Sequence, residues 1–326
     1  MKSVVIGYWA STELNFIREV ERLCIEKKLN FFMHKLSHHQ SWFSGRRSIF
    51  INLAHLIPIF LRIMVNGFRG NVCAFGTNVC RGLFPLSFLF RKILFVYNEL
   101  PETNSRRLLF YYDRFIFRHS KHIYVSTDER ADYVEKLFDL NARPGVLENI
   151  SVLKTSADQI SERPYAIVFT GTIYSKRFFV DDLKKFEDIV SVVGDQIHLY
   201  GKITGSVSDK FNSLVDYKGQ LSHESIIEEL RNYRYGLLSY YTGEPNYDLC
   251  APLKLYEYIA AGCRVISVNR NRGLIGIAGR YPALIIFMED IRANIKYDKL
   301  DFYRQRESFL ADAEMTNFEF AKLLVS

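Results

Sequence analysis

The chain reads as an α/β protein of two domains, and three observations predict it. Short apolar runs suited to buried strands alternate with helix-length segments along most of the sequence. Residues 250–267 put a helix, a glycine stop and a strand into one compact unit. The length of 326 residues, 48% hydrophobic and 24% charged, suffices for two cores.

In order, Val4, Val5 and Ile6 before Gly7 form the first strand, and Ser11 or Thr12 caps the next helix. The loop over residues 7–11 lies at that strand's carboxyl end, where open parallel sheets bind ligands. Residues 72–75 and 93–97 are further strands, separated by a helix over residues 81–92. Their polar ends, Gly76 to Asn78 and Asn98 with Glu99, fall on one sheet edge if β and α alternate. Glu99 caps a turn or pairs with Arg106 or Arg107, unless it serves as an acid or base. A helix over residues 106–119, a strand over 123–126 and a helix capped by Thr127 complete this half. His119 and His122 span a helix end and a strand start, a placement that suits structural roles better than metal ligation. Residues 141–164 lack periodicity and contain Pro144 and Gly145, so the domain boundary is placed at 155/156.

The second half opens with a strand over residues 165–170, a glycine loop over 171–177 and a helix from about Val180. Strands follow at 197–201, 215–221, 235–239, 264–268 and 283–287, with Ser222 capping a helix that carries Ile226, Ile227 and Leu230. A polar, aromatic loop over residues 240–251 then leads to Pro252, whose fixed φ and missing N–H suit a helix's first turn. Leu253, Tyr256, Ile259 and Ala260 form the buried face of that helix, and Gly262 ends it. Lys254 and Glu257 share its other face near the N-terminus, where free N–H groups and the helix dipole favour an anion. A diphosphate fits Lys254, and a ribose diol fits Glu257. The alternative is a solvated i,i+3 salt bridge worth about 0.2–0.5 kcal/mol. A final helix covers residues 302–325.

Charge adds a second theme. The net charge is +7, and residues 27–98 carry ten Lys or Arg and no Asp or Glu, interleaved with phenylalanines and Trp42. Such a surface suits anionic lipid headgroups; a buried core with snorkelling bases is the alternative. Residues 49–65 are apolar but interrupted by Asn52, His55, Pro58 and Arg62, which predicts an interfacial or core helix rather than a span. Nucleic acid is the weaker expectation, since no binding motif accompanies the charge. Five scattered cysteines without a CxxC pattern fit a reducing cytoplasm, and the apolar run after Met1 is too short for a signal peptide's core.

The run from Pro252 to Gly262, followed by Val265 and Ile266, resembles the donor-site helix of GT-B glycosyltransferases, near glycosyltransferase family 4 and its bacterial polysaccharide-assembly (group 1) relatives. The resemblance implies two Rossmann-like domains with parallel sheets facing across a cleft. Residues 1–155 would bind the acceptor, 156–305 the nucleotide sugar, and 306–326 would form a helix packing back on the first domain. It implies that Lys254 binds the donor diphosphate and Glu257 the ribose, with Pro252 and Leu253 alongside. In such relatives the glycine loop, here Gly171 and Thr172, places a base on the diphosphate. Arg177 stands at the usual distance, with Lys176 as competitor. Tyr217 and Gly219 resemble the nucleobase loop, and Tyr97, Asn98 and Glu99 loosely resemble a Tyr-Asp-x-His-Glu stretch of related transferases, its histidine missing here, which makes Glu99 the candidate acceptor-side acid or base. Many relatives carry a second, sugar-contacting glutamate eight residues before the first; here that position is Leu249. The implied activity is transfer of a sugar from a nucleotide-diphosphate sugar to a lipid-linked or growing bacterial surface glycan, with retention, without cofactor or metal. The implied location is cytoplasmic, peripheral at the inner membrane face. A catalytically silent GT-B partner, a sugar-nucleotide epimerase and a DNA glucosyltransferase remain as alternatives.

Overall fold

The computed structural model describes residues 3–8, 15–35, 70–101, 107–148, 163–174, 182–204, 208–240, 243–296 and 298–326. The chain divides into two compact units, residues 1–149 with 313–326, and residues 150–312.

The first unit carries β1 (Ser3–Tyr8), α1 (Asn15–Glu26), β2 (Asn30–Lys35), β3 (Asn71–Phe75), α2 (Thr77–Leu83), β4 (Lys92–Tyr97), α3 (Arg107–His119), β5 (Ile123–Val125), α4 (Asp128–Phe138) and β6 (Gly145–Val146). Its described strands form one sheet in the order β2-β1-β3-β4-β5-β6, and every pairing is parallel. Val4, Ile6, Cys73 and Leu94 from the sheet meet Ile17, Val20 and Cys24 of α1 and Phe320, Ala321 and Leu324 from the chain's last helix. Asn71 Nδ2 and Lys92 Nζ donate to the Leu324 and Leu323 carbonyls at 2.7 and 2.8 Å, satisfying acceptors that a helix end leaves open.

The expected helix over residues 81–92 differs. Residues 77–83 are α-helical, and a 3-10 helix, Phe84–Leu89, follows with Pro85 in its first turn. Proline has no N–H for the α-helical ladder, so the turn tightens there. Ser11, Thr12, residues 49–65 and Arg106 lie outside the described residues.

The second unit carries β7 (Tyr165–Thr170), β8 (Ile173–Tyr174), α5 (Asp182–Val193), β9 (Ile197–Tyr200), β10 (Ile203–Thr204), α6 (Asp209–Leu214), β11 (Val215–Gly219), α7 (His223–Leu230), β12 (Tyr233–Leu238), α8 (Pro245–Asp248), α9 (Leu253–Ala260), β13 (Arg264–Ser267), α10 (Arg272–Arg280), β14 (Ile285–Phe287), α11 (Ile291–Asn294) and most of α12 (Lys299–Val325) through Asp312. Ser222 caps α7, its Oγ accepting from Ser225 N at 3.1 Å. The main sheet runs β11-β9-β7-β12-β13-β14, and β8 pairs with β10 separately. Numbering the main strands in chain order gives 3-2-1-4-5-6, the doubly wound order, with its reversal between β7 and β12. Ligands bind outside the carboxyl ends of strands at such a reversal.

Among the described residues no helix is long and apolar enough to cross a membrane, and no three His, Cys, Asp or Glu side chains gather as a metal site. All five cysteines are free and buried.

Candidate functional site

The site grows from α9, whose two ends are held differently. At its carboxyl end Gly262 adopts φ 80°. Cys263 N donates to Tyr258 O at 2.8 Å and Gly262 N to Ile259 O at 2.9 Å, the paired bonds of a Schellman stop. Arg306 Nε donates to Ile259 O at 2.8 Å and its Nη2 to Ala260 O at 2.5 Å, while Arg163 Nη2 donates to Ala261 O at 2.7 Å. Two guanidinium groups thus face the negative end of the helix dipole. Nothing in the spacing of the sequence signals either arginine.

At the amino end Pro252 is the cap, with extended ψ of 151°, and the helix begins at Leu253. Pro252 therefore precedes the first turn instead of opening it. The apolar stripe is also wider than expected: Leu255 and Tyr258 are buried, as is Glu257, whereas Leu253 is only partly covered. The helix lies against the sheet at β12 and β13, so little of it is left as a solvent face. Tyr258 fixes its position, because a Cβ at Gly236 of β12 would come 2.3 Å from the Tyr258 ring. Thr170 N donates to the Tyr258 hydroxyl at 2.9 Å, tying the helix to the end of β7.

Lys254 points to the same strand end. Its Nζ donates to the Thr170 carbonyl and lies 5.5 Å from the centre of the Phe169 ring. Burial lowers its pKa from 10.5 to about 8, with Glu257 pulling the other way. Glu257 does not bridge to Lys254. Its carboxyl, 6% exposed as a residue, accepts no hydrogen bond among the described residues, and His223 Nδ1 stands 3.7 Å from its Oε1. Burial raises the Glu257 pKa, and His223 and Lys254 oppose the rise. The simple solvated salt bridge is thereby excluded for this pair.

Gly171 ends β7 at φ 131°, and a Cβ there would lie 1.7 Å from Lys254 Nζ. Gly201 ends β9 at φ 147°, and its Cβ would lie 1.9 Å from the Gly171 carbonyl oxygen. Only glycine at both positions leaves the lysine its seat. Gly171 N donates to Tyr200 O at 2.9 Å, and Gly201 N to Gly219 O at 2.8 Å, so the carboxyl ends of β7, β9 and β11 are stapled side by side. Thr172 is partly buried beside them, and half-exposed Tyr217 donates its hydroxyl to Gly201 O at 2.9 Å. Gly171, Gly219, Tyr217, Lys254 and Glu257 thus belong to one end of one sheet. Lys176 and Arg177 lie outside the described residues.

Glu99 belongs to the first unit, exposed after β4, where its carbonyl accepts from Thr77 Oγ1 at 3.4 Å. The two polar strand ends of that unit do meet. Tyr97 points into the core instead, its hydroxyl 3.4 Å from Asp113. Leu249 is buried, and the acid before it is occupied: Asp248 accepts from Arg272 Nε at 2.7 Å and Arg272 N at 3.1 Å, capping α10. Thr170, Gly201, Tyr258 and His223 were not read as site residues. Tyr258, four positions after Lys254, carried a signal in helical spacing; His223, in another element, carried none.

No protein-family model and no curated protein sequence matches the chain. Solved structures do. An S. aureus TarM mutant in complex with fondaparinux, alpha-GlcNAc-glycerol and UDP is 13% identical with a TM-score of 0.57, over 84% of this chain. The chain spans 59% of that protein's length. WaaG, a glycosyltransferase involved in lipopolysaccharide biosynthesis, is 13% identical with a TM-score of 0.56, over 98% of this chain and 95% of WaaG. Methanocaldococcus jannaschii UDP-GlcNAc 2-epimerase, in complex with UDP-GlcNAc and UDP, is 10% identical with a TM-score of 0.57, over 99% of both chains. At such identities the likeness is one of fold, and the fold is that of GT-B proteins, two Rossmann-like units.

Proposed function

We propose that the chain is a glycosyltransferase that takes its sugar from a nucleotide-diphosphate donor held by the second unit. The carrying observation is the pair at the start of α9: a desolvated lysine with pKa about 8 and a buried carboxylate that accepts no hydrogen bond among the described residues, beside the strand-order reversal. Among the described residues Lys254 has a carbonyl but no carboxylate against it, and Glu257 has no donor. A diphosphate supplies the anion to Lys254, and a pentose diol the donors to Glu257. As the sugar–phosphate bond breaks, negative charge grows on the diphosphate, where Lys254, the amino end of α9 and Arg177 or Lys176 stabilise it without calling on a metal. Glu99 is the proposed acid or base on the acceptor side; as a base it would imply inversion, whereas the resemblance implies retention.

The proposed acceptor is a lipid-linked or growing glycan at a membrane face. Support comes from α3, where Leu108, Tyr111 and Phe115 recur along one side and are at least half exposed beside exposed Arg118 and Lys121. Flotation should show stronger binding to anionic than to neutral vesicles; equal binding removes this part of the reading.

A thermal-shift screen of nucleotides and UDP-, GDP- and CMP-sugars tests the core of the proposal. A ligand at about 100 times its Kd stabilises by roughly 2.7 kcal/mol, and a screen without any shift refutes it. A second reading, a catalytically silent partner in glycan assembly, is favoured by buried Leu249 and committed Asp248. Nucleotide binding without release of nucleotide from any sugar donor, with acceptor lipid present, would select it.

A further inference from the structure

We infer that His223 completes the pentose site, with one ligand hydroxyl bridging its Nδ1 and the Glu257 Oε1; this rests on the sugar-nucleotide reading above. The two atoms stand 3.7 Å apart, too far for a hydrogen bond of their own. An oxygen about 2.8 Å from each fits between them. A hydroxyl has the matching chemistry: it donates its one proton to the carboxylate and accepts from Nδ1–H through a lone pair.

The setting favours this over an incidental approach. The Glu257 side chain is more than nine-tenths buried, and among the described residues nothing donates to its carboxyl. Buried acceptors without partners are rare. Lys254, one turn before it on α9, directs its Nζ to the Thr170 carbonyl. His223 is the first residue of α7, in a turn fixed by Ser222 Oγ, which lies 3.1 Å from Ser225 N and 2.9 Å from Ser225 Oγ. Its side chain is 39% exposed, open to an arriving ligand on one side and facing Glu257 on the other. The pair therefore recognises a sugar hydroxyl rather than a phosphate, which would meet repulsion from the carboxylate.

The test is a double-mutant cycle with the ligand as one member. Calorimetric titration of the full chain uses UDP, GDP and ADP with their 2′-deoxy and 3′-deoxy forms, against wild type, H223A and H223N. In the wild type, removing the bridging hydroxyl should cost about 100-fold in affinity, the size of two net hydrogen bonds. H223A should lose about tenfold for the ribonucleotide and nothing further for that deoxy form. Asn places an amide nitrogen near the position of Nδ1, so H223N should retain the preference. Equal weakening of all ligands by H223A, or no weakening, overturns the bridge and leaves the sugar-nucleotide reading standing. Absence of binding by the wild type for every nucleotide overturns that reading, and the bridge with it.

Discussion

Each unit buries a carboxylate, and the two are treated in opposite ways. In the first, Asp113 is fully buried but takes Arg81 Nε and Nη2 at 2.9 and 2.6 Å, and the Tyr97 hydroxyl lies 3.4 Å away. In the second, Glu257 is almost as buried, with His223 at 3.7 Å, no hydrogen-bond donor among the described residues and Lys254 turned to a carbonyl. A buried charge with a bidentate partner is complete in itself and ties α2 to α3. Charges buried without partners cost stability in the free protein, and that cost is recovered when a ligand supplies the missing atoms. Satisfaction, more than burial, separates a structural ion pair from a binding site.

The comparison can be broken most severely at Asp113. D113A should destabilise the protein by about 3–5 kcal/mol, because Arg81 is left without its counter-ion; chemical denaturation would show it, with nucleotide affinity of the folded protein unchanged. K254M should do the reverse. Nucleotide-diphosphate affinity should fall about 100-fold, roughly 2.7 kcal/mol, while the melting temperature holds or rises, since a costly buried charge is gone. A large loss of stability in K254M would show that the lysine is structural and sink the contrast.

Acidity sharpens the point further. Above pH 8 the free protein's Lys254 loses its proton, whereas a bound diphosphate retains it, so affinity should fall as pH rises through about 8, by at most about tenfold per unit. Folding has the opposite sign. The unfolded chain holds that proton up to about 10.5, so stability from this group rises between pH 8 and 10.5. Both trends should vanish in K254M, as titrations and melts across that range would show. The smallest expected effect is at Glu257: E257Q should raise stability by about 1 kcal/mol, by removing a desolvated charge, and weaken nucleotide binding several-fold. Unchanged binding in E257Q would remove the carboxylate from the site.

Much of this was legible before the fold was known because its signals are local. The glycine after α9, the Ser222 and Thr127 caps and the strand ends at Thr170 and Tyr200 follow from rules acting over four or five residues. The α10 helix carries little local signal, since glycines at 273, 276 and 279 weaken helix propensity, and Asp248 at the end of α8 caps its start. The β2 strand was hidden in a basic, aromatic stretch, and pairing with β1 decided it.

The sequence by itself determined two α/β halves and a helix that carries Lys254 and Glu257 near its amino end, since hydrophobic period, caps and glycine conformations are short-range properties of the chain. Tertiary structure alone decided the 3-2-1-4-5-6 strand order, the meeting of Lys254 with Thr170 84 positions away, the clamp of Arg163 and Arg306 on α9, and the approach of His223 to Glu257. The physical reason is that crossover connections place strands by packing rather than by spacing, and a charged side chain becomes a buried, unsatisfied one only when separate elements close around it.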